Sequence, residues 1–140
     1  MSVERRVAYS GKVFRIAFAR DHSGVSPAEE FFDVLPQVEK AQLFKLFQIL
    51  GDGNHGEPRN PKKFGDLGDG LHEFKSFQIR MPFAYAKDER GLVLATHGFR
   101  KKTDKAPPSE IAKARRILKE DAEASKILVI NEQKSKRRRP

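Results

Sequence analysis

The sequence predicts a small α+β domain, because strand-period and helix-period segments occupy separate runs of one short chain. A first strand is followed by two helical segments, and three strands precede a final helix. The chain has 140 residues, which suits one domain with a buried core. We expect a twisted, mainly antiparallel sheet of about four strands, with an N-terminal helical hairpin and a C-terminal helix.

The first strand and the helical hairpin have recognisable boundaries. Residues 13–20 alternate apolar and polar side chains, which predicts a half-buried strand. Ser26, Pro27 and Glu29 supply an N-cap, a first-turn proline and a capping-box acid for the first helix. Pro36 separates it from a second helix, whose apolar residues recur at helical spacing: Leu43, Leu46, Phe47 and Leu50.

The middle of the chain predicts a loop and then three strands. Residues 54–70 are rich in Gly and Pro and read as loop. The strands cover about residues 71–77, 79–87 and 91–99, and the last two are joined by a turn over Asp88–Gly91. Pro82 has no N–H to donate to a sheet, so it predicts an edge position or a bulge.

The C-terminal part predicts a helix and a tail. The third helix begins near Pro107, Ile127 to Ile130 suggest a short further strand, and residues 131–140 form a basic tail that we expect to be disordered. The predicted division is therefore an N-terminal extension (1–12), a folded domain (13–130) and the tail.

Composition excludes several kinds of site. Cys 0 excludes disulfides, thiolate zinc sites and thiol nucleophiles, and it fits a reducing cytoplasm. No apolar run approaches the ~20 residues that span a bilayer, and the N-terminus lacks the apolar core of a secretory signal.

Positive charge is concentrated near the C-terminus. Residues Phe99 to Pro140 contain 14 Lys+Arg and 6 Asp+Glu, a net charge of +8 within a total of +9. This asymmetry favours a nucleic acid or another polyanion as partner, and simple solubility is the alternative explanation.

The predicted strands, together with the end of the last one, carry a cluster of cations and titratable groups: Glu73, Lys75, Arg80, His97, Lys101 and Lys102. Such a face suits a phosphodiester and can also cleave one. RNA supplies its own nucleophile, the 2′-OH, so a protein need only align the groups, transfer two protons and stabilise the added negative charge. This chemistry requires no metal or cofactor.

Several motifs in this order resemble a known family. They are the helix start at Ser26–Phe32, the strand Leu71-His72-Glu73-Phe74-Lys75, Arg80 on the next strand, and His97-Gly98-Phe99-Arg100-Lys101-Lys102-Thr103. From about Val13 to Asp121 the chain is similar to the RelE/ParE toxin superfamily, and most similar to the HigB-like, phage-derived branch of type II toxin–antitoxin systems. The resemblance implies a RelE-like fold and metal-independent mRNA cleavage, usually on the ribosome. It also implies a cognate antitoxin as partner, a cytoplasmic location and no membrane partner.

The candidate catalytic residues have hypothetical roles. Lys75 and Arg80 would bind the scissile phosphate, and Lys101 and Lys102 would hold flanking phosphates or stabilise the transition state. His97 is the candidate for proton transfer, since its unperturbed pKa is near neutrality. Glu73 would act as a base or orient Lys75.

Other residues are candidates for RNA contacts: Arg59, Lys62, Lys63, Arg100 and Lys105 as cations, and Phe83 and Tyr85 as base-stacking rings. Core packing is the alternative for both rings and for His72. His97 has a structural alternative too.

Two departures from the family pattern leave other functions open. Lys75 stands where the family has arginine, and Pro82 interrupts a strand that is usually regular. A ParE-like topoisomerase inhibitor and a non-catalytic phage nucleic-acid-binding protein are the alternatives. Neither needs residues that transfer protons.

Overall fold

The computed structural model describes residues 4–53, 58–103 and 105–137, with residues 127–137 as backbone only. It contains three helices and a mixed sheet, so the α+β class is confirmed. In chain order the elements are β1 (Val7–Ser10), β2 (Arg15–Phe18), α1 (Pro27–Asp33), α2 (Gln37–Gly51), β3 (Phe64–Gly68), β4 (Leu71–Ser76), β5 (Ile79–Tyr85), β6 (Leu92–Ala95), β7 (Phe99–Arg100) and α3 (Pro108–Arg137).

The sheet has seven strands, so the expectation of about four was wrong. Its order is β1-β2-β6-β5-β4-β3, with the short β7 paired to β5. β2 and β6 are parallel, and every other neighbouring pair is antiparallel. β1 lies within the predicted N-terminal extension and β3 within the predicted loop. The last predicted strand, residues 91–99, is interrupted after Ala95, and strand pairing resumes in β7. The division into extension, domain and tail stays a prediction.

One face of the sheet packs against α1 and α2 through a core rich in phenylalanine. Phe47 of α2 contacts Phe74 of β4 with ring centroids 5.0 Å apart, and Phe74 stacks on Phe83 of β5 at 4.3 Å. All three side chains are fully buried. This packing fixes the side chains on the other face of β4 and β5, because successive residues of a strand point to opposite faces.

α1 and α2 begin where the sequence predicted, at Pro27 and directly after Pro36. The proposed capping box is absent, however, since the Ser26 side chain makes no capping hydrogen bond. The prolines alone mark the two starts, because proline presets the backbone angle at a helix start.

The opposite face of the sheet is covered by α3. Ile117 packs against a smaller apolar cluster formed by β2 and β6. Beside it, the fully buried Asp121 accepts hydrogen bonds from Arg5 Nε at 3.0 Å and from the backbone N of Arg20 at 2.9 Å. These contacts fasten α3 to the open end of the β1–β2 hairpin, where β1 begins and β2 ends.

α3 is longer than expected. It runs through Ile127–Ile130, so the short strand predicted there was wrong, and it continues through residues 131–137 of the predicted tail. No helix in the described ranges combines the length and the apolarity needed to cross a bilayer.

Pro82 lies in a central strand, where we had expected an edge position or a bulge. Its carbonyl accepts a hydrogen bond from Thr96 N at 2.9 Å, so its nitrogen also points toward residues 96–98. Those residues form the break between β6 and β7. The neighbouring strand is therefore interrupted opposite Pro82, so the sheet needs no hydrogen bond from an N–H at this position.

Candidate active site

The hairpin of β4 and β5 brings the central candidate residues together. Lys75 is the direct cross-strand partner of Arg80, and Glu73 is opposite Pro82 on the same face. Directly opposed residues of an antiparallel pair have Cβ atoms about 4.5–5.5 Å apart. The register therefore places two cations and one carboxylate in a single patch, as the sequence predicted.

Glu73 is the buried member of this patch, with 6% of its surface exposed. Its Oε1 lies 3.9 Å from Arg80 Nε, and its Oε2 has no hydrogen-bond partner among the residues that the structure describes. Burial raises the pKa of Glu73, and the positive charges of Arg80, Lys75 and Lys101 oppose that rise. The result is a carboxyl group that binds a proton more readily than an exposed glutamate.

Arg80 is held by the hairpin turn. Its Nη1 donates to the carbonyl of Phe77 at 2.7 Å and to that of Ile79 at 2.8 Å. These bonds hold the guanidinium beside Glu73, with Nε 3.9 Å from Glu73 Oε1. A fixed guanidinium is suited to a phosphate because its donors form a rigid fork.

Lys75 connects the patch to the preceding loop. Its Nζ donates to the carbonyl of Pro61 at 3.0 Å, and its backbone N donates to the carbonyl of Lys63 at 2.8 Å. The loop segment with Arg59, Lys62 and Lys63 therefore lies next to Lys75, as an RNA clamp would require. His55 of the same loop lies outside the described residues.

The segment after β7 adds Lys101 to the patch. Its backbone N donates to the carbonyl of Gln78 at 2.7 Å, and its charge acts on the pKa of Glu73. Lys102 and Lys105 follow on the exposed surface.

Arg100 is directed elsewhere. It forms a two-pronged ion pair with Glu39 of α2, at 2.7 Å and 2.8 Å. This contact places its side chain on the face of the sheet that packs against α1 and α2. Lys75 and Arg80 are on the opposite face, so the structure does not bring Arg100 together with them.

His97 is enclosed on the α3 side of the sheet, and only 1% of its surface is exposed. Its Nδ1 shares a 3.0 Å hydrogen bond with Thr96 Oγ1, and its ring stacks on Phe99 at 5.6 Å. Its Nε2 lies 3.4 Å from Glu110 Oε2 at the start of α3, without the geometry of a hydrogen bond.

The surroundings of His97 favour the neutral ring. Burial lowers its pKa, Glu110 opposes this change, and Lys113 and Arg116 add to it. An enclosed, neutral imidazole that contacts α3 fits the structural alternative. The neighbouring glycine has a packing role as well, because a Cβ at Gly98 would lie 2.0 Å from the ring of Phe31.

The proposed base-stacking rings belong to the core. Phe83 is fully buried, which supports the core-packing alternative for this ring. Tyr85 is half-buried and packs on Phe14 at 5.2 Å, and burial raises its pKa. His72 contacts both Phe83 and Tyr85, in agreement with the packing alternative.

Sequence reasoning missed two residues at this site. Gly65 of β3 lies opposite Glu73, and Phe77 occupies the hairpin turn with 75% of its surface exposed. Gly65 was hidden in a predicted loop. The signal for Phe77 was available, since it falls at the junction of two predicted strands.

A separate groove of about 1380 Å³ lies between the sheet and α3, lined among others by Leu94, Leu118 and Asp121. Glu73, Lys75 and Arg80 do not line it, so the patch is separate from this groove. No three His, Cys, Asp or Glu side chains in the described part of the chain meet in a way that could hold a metal ion.

Comparison with known proteins identifies one family. Residues 30–119, more than half of the chain, match the model of the family described as "Phage derived protein Gp49-like (DUF891)". A search of curated proteins finds no match. The matched residues include α2, the β4–β5 hairpin and the first turns of α3.

Proposed function

Because the chain belongs to the phage-derived Gp49-like family, which is part of the RelE/ParE-like toxin group, we propose that it is a type II toxin that cleaves mRNA. In this proposal it is a HigB-like, metal-independent endoribonuclease that acts in the cytoplasm on ribosome-bound mRNA. Its partner is a cognate antitoxin. One observation supports the proposal most: in the buried carboxyl of Glu73, Oε2 has no hydrogen-bond partner among the described residues and Oε1 lies 3.9 Å from Arg80 Nε.

The reaction would begin at Glu73. Its free Oε2 accepts the proton of a ribose 2′-OH, and the 2′-oxygen forms a bond to the adjacent phosphorus. The bond from phosphorus to the 5′-oxygen breaks, which leaves a 2′,3′-cyclic phosphate and a free 5′-OH. The raised pKa of Glu73 suits this role, because a base works best when its pKa is near the working pH.

The cations would serve the phosphate and the leaving group. Arg80 and Lys75 face the phosphate from paired positions and stabilise the charge that develops on its oxygens. The ammonium of Lys101 gives a proton to the departing 5′-oxygen. Lys102, Lys105 and the loop cations Arg59, Lys62 and Lys63 hold flanking phosphates. Arg100 and His97 are left out of these steps, because Glu39 and Glu110 occupy their surroundings.

A protein that only binds RNA needs no base at the position of Glu73. A carboxylate among phosphate-binding cations repels the phosphate and weakens binding. Its burial also disfavours the charged form, as the direction of its pKa shift indicates. A proton-transfer role accounts for both features.

Cleavage can be tested by primer extension on mRNA in a translating extract, and in parallel on naked RNA with EDTA. Wild type is compared with Glu73→Gln, Arg80→Ala and Lys102→Ala. Arg90→Ala is the matched control, because Arg90 is an exposed cation in the turn between β5 and β6. We expect defined cuts with wild type and the control, and greatly weakened cuts with the three variants. Growth arrest with intact RNA in every lane would overturn the proposal and favour topoisomerase inhibition.

A further inference from the structure

Phe77 is an aromatic side chain that the core does not use. With 75% of its surface exposed, it contrasts with the other ten phenylalanines, which are all buried or half-buried. The other large hydrophobic side chains exposed in the described residues are valines. An exposed phenyl ring loses the contribution of burial, so its presence at this position needs another explanation.

The backbone at Phe77 does not favour a phenylalanine either. Phe77 and Gln78 form the two-residue connection between Ser76 and Ile79, which pair with each other. Phe77 has φ +55, a left-handed conformation that Gly, Asn and Asp adopt readily and that bulky side chains disfavour. A ring that adds nothing to the turn or the core is a candidate for contact with a ligand.

The ring belongs to the hairpin turn that borders the cationic patch of Lys75, Arg80 and Lys101. Arg80 Nη1 donates to the Phe77 carbonyl at 2.7 Å, and Lys101 N donates to the carbonyl of Gln78 at 2.7 Å. Lys75 precedes Phe77 by two residues and pairs with Arg80. Cations next to an exposed aromatic ring are the features by which proteins bind single-stranded nucleic acid: charges take the phosphates, and the ring stacks on an unpaired base.

We infer that Phe77 is the base-stacking platform of this site and binds an unpaired base of single-stranded RNA beside the phosphate held by Arg80 and Lys75. This inference rests on the proposed function and adds the substrate class: the RNA must be unpaired here, because the faces of a base in a duplex are already stacked. Stacking tolerates any base, so Phe77 fixes the position of the nucleotide and does not select its identity.

The chain has Trp 0, so Phe77→Trp creates a protein with one indole fluorophore. The probe is a single-stranded oligoribonucleotide with 2′-O-methyl riboses, which lack the nucleophile and cannot be cleaved. Stacking on a base is expected to quench the indole emission. An abasic oligonucleotide of equal length keeps the phosphates and should leave the emission unchanged. Val34→Trp is the control protein, because Val34 is 81% exposed at the end of α1.

Measuring the affinity of variants for the same RNA separates base stacking from the general effect of an apolar side chain. Phe77→Leu is expected to weaken binding about tenfold, within the range for one base stacked on an aromatic ring, and Phe77→Trp is expected to keep it. Equal binding by wild type and Phe77→Leu, or equal quenching by the abasic strand, would overturn the inference.

The outcomes distinguish this inference from the proposed function. If Arg80→Ala weakens binding and Phe77→Leu does not, RNA binding stands and the stacking role fails. If wild type binds no RNA, the stacking role fails, and primer extension on mRNA in a translating extract decides the proposed function separately. If Phe77→Leu abolishes growth arrest with unchanged RNA affinity, the ring contacts a protein partner and the stacking role is again overturned.

Discussion

Gly65 lies directly opposite Glu73 in the β3–β4 pair, and a Cβ at Gly65 would lie 2.9 Å from Glu73 Cγ and from Glu73 Oε1. The same atom would lie 2.9 Å from Lys75 Cε. The missing side chain therefore makes room for two of the candidate groups. The contact lies on the face that carries the cationic patch, so a substitution at Gly65 acts on the site before it acts on the core.

Gly65→Ala is expected to reduce RNA cleavage about a hundredfold, because a displacement of catalytic groups by about 1 Å has an effect of that size. The far-UV circular dichroism spectrum should stay unchanged. Cleavage rates at saturating RNA provide the measurement. An active Gly65→Ala protein would mean that Glu73 can move without loss of function, which contradicts its assignment as the base.

The pH dependence of stability should reveal Glu73. Since burial raises its pKa in the folded state, the folded protein holds this proton more tightly than the unfolded chain does. Stability from this group is therefore full at low pH and falls as the pH rises from the ordinary glutamate pKa through the raised one. Glu73→Gln should be more stable than wild type at pH 7, and this difference should disappear in acid. Urea unfolding at several pH values tests it, and a variant less stable than wild type at pH 7 would contradict it.

His97→Gln is expected to keep cleavage within about tenfold of wild type, since loss of a proton-transfer group typically removes 10²–10⁴-fold. Single-turnover cleavage at neutral pH is the measurement. A larger loss with an unchanged thermal unfolding midpoint would restore His97 to the reaction.

His97 should also make the fold sensitive to acid. Burial lowers its pKa below that of the unfolded chain, so the unfolded state binds the proton more tightly. Stability from this group is full above the ordinary histidine pKa of about 6.5 and falls as the pH drops through the lowered value. Thermal unfolding at stepped pH should show this decline in wild type and a weaker decline in His97→Gln. Equal declines would assign the acid sensitivity to other groups.

Asp121→Asn should lower the free energy of unfolding by about 3–5 kcal/mol, because it removes the buried carboxylate that pairs with both Arg5 and Arg20. Asp88→Asn is the matched control. It removes an exposed ion pair of the same Arg5, which is worth about 0–1 kcal/mol. Urea unfolding of both variants tests the difference, and equal losses would show that the Asp121 cluster does not hold α3.

Phe77→Asn should raise the free energy of unfolding by about 0.5–1 kcal/mol, since asparagine tolerates the left-handed conformation at this turn. The same variant should bind single-stranded RNA more weakly. A gain in stability together with a loss of binding would show that the ring is retained for its ligand. A loss of stability would instead indicate that the ring packs on the hairpin.

The parts of the fold with local signals could be predicted from the sequence. Pro27 and Pro36 mark the helix starts, and the alternation around Glu73 and Arg80 places both on paired strands. β1 and β3 were missed because each is short and because β3 contains two glycines. These segments are strands only through their hydrogen bonds to neighbouring strands. The parallel pairing of β2 and β6 joins distant segments and has no local pattern.

The candidate site was predicted only in part, because some of its contacts join distant segments and leave no local pattern. Lys75 and Arg80 are neighbours because of the register between β4 and β5. The alternation of side chains along these two strands indicates that register in the sequence. The burial of His97 depends on Glu110 of α3, and the orientation of Arg100 depends on Glu39 of α2. Both contacts join segments that are far apart in the chain, so residue type and spacing cannot reveal them.

The parallel pairing of β2 and β6 also has a consequence for the timing of synthesis. Arg15 pairs with Leu92, a residue that the ribosome adds 77 positions later. At 5–20 residues per second the first strands wait on the order of 4–15 s for this partner, and longer still for Asp121. A chain released early lacks the middle of its sheet and the helix that covers it. A cell therefore meets the finished surface of this protein only after Asp121 has been synthesised.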